Sequence, residues 1–214
     1  MTELVVRTLE PPGGAATAAV VAIHGRGASA DDLVPIAGAV ALPGVRWIFP
    51  QGWLPFVHPF GTGWAWYELP PDDRPGVLES RRRLRRLLER LTAPGGVPSD
   101  RVALVGFSQG AVVSLDAGLR FPQPLAGIAA LSGYLFDPTS LAAELAPAQR
   151  RLPVFLAHGI FDGVVPLAGS RMAAAALREA GLPVELHEYP MGHEIVPEEL
   201  ADLRTFLGRC LKVP

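Results

Sequence analysis

Val102-Ala-Leu-Val-Gly106-Phe107-Ser108-Gln109-Gly110-Ala111 is the stretch on which the reading of this chain turns. Val102 to Val105 is apolar at every position, as a strand buried on both faces should be, and Ala111 continues into a helical pattern. Between them stands Gly106-x-Ser108-x-Gly110, a pattern in which a serine rides a tight strand-to-helix turn. Such a turn is strained and leaves no room for a Cβ two residues to either side, hence glycine at both flanks. It lifts the hydroxyl clear of the sheet and sets the Gln109 N–H at a helix N-terminus, where the dipole favours developing negative charge. Ser108 is the expected nucleophile and Gln109 an expected oxyanion donor.

The same alternation extends to both sides. Leu4 to Leu9, Ala19 to Ile23, Val45 to Phe49, Val102 to Gly106, Leu125 to Leu131, Pro153 to Ala157 and Val184 to Tyr189 read as extended runs. Ser29, Asp31 and Asp32 precede Leu33, Ile36, Ala37 and Val40 at helical spacing, which predicts a helix over about 30 to 41. A long Gly/Trp-rich loop runs to about Gly76, followed by a helix with Leu84, Leu87, Leu88 and Leu91 on one face. Strands alternating with helices predict an α/β fold: a mostly parallel sheet with helices on both faces. With 214 residues, 49% hydrophobic, and neither repeat nor linker, one domain over 1–214 is expected. Ligands in this architecture sit beyond the carboxyl ends of the strands.

A serine hydroxyl needs a base within hydrogen-bond reach and a group that orients the base. After Pro153 to Ala157 comes His158-Gly-Ile-Phe-Asp162-Gly-Val-Val-Pro166, and after Val184 to Tyr189 comes Pro190-Met-Gly-His193-Glu194. Ser108, Asp162 and His193 thus follow successive strand ends, in the order of an α/β-hydrolase. His24 and His158 precede glycine at strand ends and read as structural, His187 lies within a strand, and His58 lies in a loop. Asp116 falls mid-helix and Asp202 in the last helix, which leaves Asp137 as the rival of Asp162. The second oxyanion donor is expected from the Arg26 N–H, in His24-Gly25-Arg26-Gly27. That loop also reads as a loose dinucleotide fingerprint, but the next strand ends Ile48-Phe49-Pro50-Gln51 without the acid that ribose hydroxyls require.

Composition narrows the partners. A net charge of −2 gives no global field for nucleic acid or an anionic membrane surface. Arg82, Arg83, Arg86 and Arg90 share a helix face, but Glu79 and Glu89 interspersed among them make a solvated face the better account. Apolar runs are too short for a membrane span. The single cysteine, Cys210, excludes an internal disulfide and fits a reducing compartment. Met1-Thr-Glu-Leu-Val-Val-Arg contains no signal-peptide core, so a cytoplasmic protein is expected. Neither H-x-x-x-H nor C-x-x-C spacing supports a metal site, and no cofactor is needed for serine chemistry.

These motifs resemble the phospholipase/carboxylesterase family of α/β-hydrolases, which includes small bacterial carboxylesterases and acyl-protein thioesterases. The likeness rests on His24-Gly-Arg-Gly27, Gly106-Phe-Ser-Gln-Gly-Ala111, Leu131-Ser-Gly-Tyr134, His158-Gly-x-x-Asp162-x-Val-Val-Pro166 and Met191-Gly-His-Glu194. It implies Ser108, Asp162 and His193 as catalytic triad and Arg26 and Gln109 as oxyanion hole. The implied reaction is hydrolysis of small-molecule esters with small or medium acyl groups. Thioesterase or lysophospholipase activity is the alternative, and a catalytically silent binding protein the alternative of another class. Two departures stand out. At Arg26 the family more often carries an apolar residue such as leucine, and an arginine there would favour a polar or anionic substrate. The loop Gln51 to Pro70, with Trp53, Phe56, Phe60, Trp64, Trp66 and Tyr67, differs from the lid-like segment of acyl-protein thioesterases. Its aromatic residues either line an acyl pocket or cap the sheet. Trp66, together with Tyr134, is the expected substrate-binding residue.

Overall fold

The computed structural model describes residues 3–58, 61–71 and 73–213, so Phe60 lies outside the described residues. Along the chain run β1 (Val6–Leu9), β2 (Ala18–Ile23), α1 (Val34–Val40), β3 (Val45–Pro50), β4 (Leu54–His58), β5 (Gly61–Ala65) and α2 (Asp73–Leu91). Then come β6 (Val102–Phe107), α3 (Gln109–Gly118), β7 (Gly127–Leu131), α4 (Leu141–Glu144), β8 (Val154–Gly159), α5 (Leu167–Glu179), β9 (Val184–Tyr189) and α6 (Pro197–Leu211). Seven strands form one sheet in the order β1-β3-β2-β6-β7-β8-β9. All neighbours are parallel except β1, which pairs antiparallel with β3 at one edge.

Successive side chains of a strand point to opposite faces, and the central strands here are apolar on both. Ala19, Val21 and Ile23 of β2, with Val102 and Leu104 of β6, meet Val77, Leu84 and Leu88 of α2 and the buried side chains of α3. Ala18, Val20 and Ala22, with Ala103 and Val105, meet Ile36 and Val40 of α1 and Leu203, Phe206 and Leu207 of α6. A run apolar at every position is therefore what a strand between two helical layers requires. The α3 helix is buried along its whole length, and Gly118 lets it lie close to the sheet, since a Cβ there would stand 2.5 Å from Ile128 Cδ1. Its one charge, Asp116, is matched by Arg81 at 2.7 Å and Arg120 at 3.0 Å.

Two expectations shift. The helix expected over 30 to 41 begins at Val34, because the Asp32 carboxylate turns back to accept from Ser29 N at 2.7 Å and the preceding residues close a turn. The expected Gly/Trp-rich loop contains a hairpin, β4 paired antiparallel with β5, and α2 starts at Asp73. On the outer face of α2 the arginines are engaged with glutamates: Arg82 and Arg83 with Glu79, and Arg90 with Glu3. No helix among the described residues is long and apolar enough to cross a membrane.

At the start of α6, the Glu199 carboxyl is buried, and among the described residues only the Val196 backbone N–H is near enough to favour its charged form. Burial raises its pKa from 4.5 to about 8. The neighbouring Tyr189 hydroxyl, bonded to Asp202, is itself pushed upward by burial and stays protonated over that range. Because the folded state holds the Glu199 proton more tightly than the unfolded chain, stability is fully present at low pH and falls as pH rises from about 4.5 to about 8. Glu199→Gln is expected to melt above the parent by a margin that widens across that window, on the order of a few kcal/mol at its top. Thermal melts at closely spaced pH values check this, and a margin independent of pH would refute it.

Candidate active site

Ser108 joins β6 to α3 with φ 57° and ψ −120°, a conformation that L-residues rarely adopt. The flanking glycines are required by contact as well as by the turn. A Cβ at Gly106 would lie 2.2 Å from the Gly110 carbonyl oxygen, and one at Gly110 1.9 Å from that of Ile23. The second clash is between the helix and the neighbouring strand, so Gly110 is what lets α3 start directly against the end of β2. Gln109 follows as the first residue of α3, where backbone N–H groups have no partner within the helix.

His193, in the loop after β9, lies with Nε2 3.0 Å from Ser108 Oγ and Nδ1 2.7 Å from Asp162 Oδ2. Phe107 supports the ring with centroids 4.8 Å apart. Asp162 stands in the loop after β8, its carboxylate out of solvent, and its Oδ1 accepts from the N–H groups of Val164 and Val165, each at 2.8 Å. Burial alone would raise this carboxyl, but the bonds from His193, Val165 and Val164 outweigh it and hold the pKa below the ordinary value. With Asp162 ionised and accepting at Nδ1, the free lone pair of His193 is at Nε2, facing the serine.

His158, read from the sequence as structural, is a buried tie at this end of the sheet. Its Nε2 donates to the Val165 carbonyl at 2.9 Å and stands 3.3 Å from Asp162 Oδ2. Its Nδ1 is 2.6 Å from Ser170 Oγ, which donates to the Gly133 carbonyl at 2.6 Å. The Asp162 loop is thereby linked to α5 and to the segment after β7. Asp137, the rival acid, instead accepts from Thr139, Ser140 and Arg74 and does not join this cluster.

On the other side of Ser108, the loop after β2 is held from beneath. His24 is buried, its Nδ1 2.7 Å from the Gly25 carbonyl, and its Nε2 accepts from Gly52 N at 2.9 Å; burial lowers its pKa, consistent with a neutral acceptor. The Trp66 indole N–H donates to the His24 carbonyl at 2.8 Å. The Gln109 side chain accepts from Trp66 N at 3.1 Å and donates to the Tyr67 carbonyl at 2.9 Å. The hairpin also clips the loop: Gly27 N donates to Trp64 O at 2.8 Å and Trp64 N to Ala28 O at 2.9 Å. The backbone N–H groups of Arg26 and Gln109 therefore head two segments that the same residues hold.

A cavity of about 350 Å³ opens beside Ser108, lined by Arg26, Ala28, Leu33, Phe107, His193 and Ile195 among others. Neither expected substrate-binding residue lines it. Trp66 is fully buried, its indole N–H bonded to the His24 carbonyl in the loop after β2, so in this structure its ring packs beneath that loop rather than on the cavity wall. Tyr134 is half-buried, with its hydroxyl engaged by Tyr67 and its Cβ against Gly169.

A profile of proteins described as Phospholipase/Carboxylesterase matches residues 6–211. The chain belongs to the phospholipase/carboxylesterase family. Within or beside that family it is 31% identical to an acyl-protein thioesterase 1 of Mycosarcoma maydis, over 99% of each chain. It is likewise 31% identical to a probable carboxylesterase of Oryza sativa subsp. japonica, over 98% of this chain and 85% of that one. Among solved structures it resembles the esterase PE8, with a TM-score of 0.89 and 33% identity over 98% of this chain and all (100%) of the other. The resemblance of the sequence motifs to the phospholipase/carboxylesterase family, and the α/β-hydrolase fold expected from them, are borne out.

Proposed function

We propose that the chain is a serine hydrolase that cleaves carboxylic esters of small to medium acyl groups through an acyl-serine intermediate. The observation that carries this reading is the single imidazole of His193, bonded at once to Ser108 Oγ at 3.0 Å and to Asp162 at 2.7 Å. As Ser108 Oγ bonds to the ester carbonyl carbon, His193 Nε2 takes its proton and Asp162 stabilises the imidazolium. The carbonyl oxygen becomes an oxyanion facing the Arg26 and Gln109 N–H groups. Its collapse breaks the bond to the alkoxide, which takes the proton from Nε2. Water then attacks the acyl-serine with His193 again as base, releasing the acid and restoring Ser108.

The cavity of about 350 Å³ supports small and medium acyl groups. The likeness to an acyl-protein thioesterase over 99% of the chain favours thioester cleavage as the second reading, because the same groups attack a thioester carbonyl. The lone Cys210 supports a cytoplasmic setting. Hydrolysis of p-nitrophenyl esters from acetate to palmitate, beside a palmitoyl thioester, tests both. Turnover peaking at short chains, with stoichiometric phosphonate labelling at Ser108, is expected. Long thioesters as best substrates would favour the second reading, and neither turnover nor labelling would leave a silent scaffold.

The hairpin gives a separate prediction. A Cβ at Gly63 would lie 1.9 Å from the Gly27 carbonyl oxygen. Gly63→Ala is expected to shift the loop that carries the Arg26 N–H and lower kcat by roughly 10- to 100-fold, the scale of one weakened oxyanion donor. Steady-state kinetics on a variant with the parent's circular-dichroism spectrum measures this, and an unchanged kcat would remove the hairpin from the account.

A further inference from the structure

We propose that the cavity beside Ser108 recognises a carboxylate on the substrate through the Arg26 side chain, so that the preferred esters carry a single negative charge a few bonds from the scissile carbonyl. This rests on the hydrolase reading and names the substrate class of that site.

Arg26 has two separate faces. Its backbone N–H belongs to the loop after β2, while the residue as a whole is half-buried and borders the cavity. The guanidinium stacks on the Phe56 ring of β4, with Cζ 4.1 Å from the centroid. That ring covers one face of the cation. Nε is buried and has no hydrogen-bond partner among the described residues. Nor does Arg26 form an ion pair among them, whereas Arg7, Arg46, Arg74, Arg81, Arg120 and Arg171 each do.

Buried charges and buried N–H groups are ordinarily matched, because leaving a donor unsatisfied costs the desolvation of that group. An arginine held by an aromatic ring, with no hydrogen bond to its Nε and no ion pair among the described residues, and bordering the same cavity as the nucleophile, has the form of a carboxylate receptor. The rest of the cavity narrows the ligand. Ala28, Leu33, Phe107 and Ile195 supply apolar wall that suits a short methylene chain. Asp32 and Glu194 also border the cavity. Asp32 is turned onto Ser29, where it accepts from N at 2.7 Å and from the hydroxyl, and Glu194 accepts from Gly192 N at 3.3 Å. Two carboxylates bordering the same cavity as one guanidinium disfavour a doubly charged group such as a phosphate monoester, and leave a monocarboxylate as the ligand that balances the site.

The carboxylate belongs either to the acyl part or to the alcohol part of the ester, and two matched pairs distinguish these. Monomethyl adipate against methyl hexanoate places the charge on the acyl side; O-butyrylglycolate against ethyl butyrate places it on the alcohol side. Hydrolysis of each is followed by pH-stat titration for the parent, Arg26→Met and Arg26→Lys. The quantity read is the ratio of kcat/KM for the charged ester to that for its neutral partner, so a general change in activity cancels within each variant. In one pair the ratio is expected to fall at least roughly tenfold in Arg26→Met, the scale of one charge-assisted hydrogen bond, and to be partly kept in Arg26→Lys. Equal ratios in parent and Arg26→Met for both pairs, with the neutral esters still hydrolysed, would overturn the proposal while leaving the hydrolase reading intact. A parent that hydrolyses neither neutral ester and resists phosphonate labelling would overturn both.

Discussion

Ser108→Ala is expected to lower kcat for p-nitrophenyl butyrate by roughly 10⁵-fold or more, with binding of the ester and the melting temperature nearly unchanged. The size follows from the loss of the covalent route: no other hydroxyl stands 3.0 Å from His193 Nε2 among the described residues, so only uncatalysed attack by water within the site remains. The fold should tolerate the change because alanine keeps the Cβ that the turn already holds at φ 57° and ψ −120°. Single-turnover kinetics should lose the burst of p-nitrophenol, and a serine-directed phosphonate should leave the variant unmodified. Residual turnover within tenfold of the parent would mean that Ser108 is not the nucleophile.

The second large effect is expected at Asp162. Asp162→Asn should reduce kcat by about 10⁴-fold while changing the ester's apparent binding little. The direction follows from donor bookkeeping. Oδ1 accepts two backbone N–H bonds, from Val164 and Val165, so the amide oxygen of an asparagine must occupy that position. Its NH2 group then replaces Oδ2, the atom 2.7 Å from His193 Nδ1. Facing a donor, Nδ1 becomes an acceptor, the ring proton moves to Nε2, and the base can no longer receive the Ser108 proton. His158 aggravates the mismatch, since its Nε2 also stands 3.3 Å from Oδ2. Kinetics measured alongside a melt separate this from unfolding. A folded Asp162→Asn variant retaining more than a tenth of the parent's kcat would contradict the tautomer argument.

The site was legible in the sequence to the extent that each of its parts is tied to a strand end. Ser108, Asp162 and His193 each follow an apolar run, and parallel strands bring successive carboxyl ends to one edge of a sheet. Arg26 was legible for the same reason, as part of the loop that follows β2. Trp66 was not, because an aromatic residue in a Gly-rich segment reads equally as wall or as support. Only the bond from its indole N–H to His24, and its complete burial, separate the two. The hairpin β4 and β5 was missed although Phe56 and Trp64 place aromatic residues on its two strands, since glycine and proline around them signal a loop as strongly as a turn between strands. The buried tie through His158 and Ser170 left no local trace, because its partners lie on three different elements.

What the amino-acid order determined by itself is the class of fold and the chemistry of its turns. Apolar runs must be covered on both faces, helices must alternate with them, and a serine between two glycines must stand on a tight turn. These are local constraints of periodicity and sterics, and they act before any two distant residues meet. Tertiary structure alone decided the distances at which His193 meets Ser108 and Asp162, that Trp66 is buried as support, and that Arg26 has no ion pair among the described residues. Those outcomes depend on distances of about 3 Å between residues far apart in the chain, such as the 85 positions between Ser108 and His193, and no pattern within one segment encodes them.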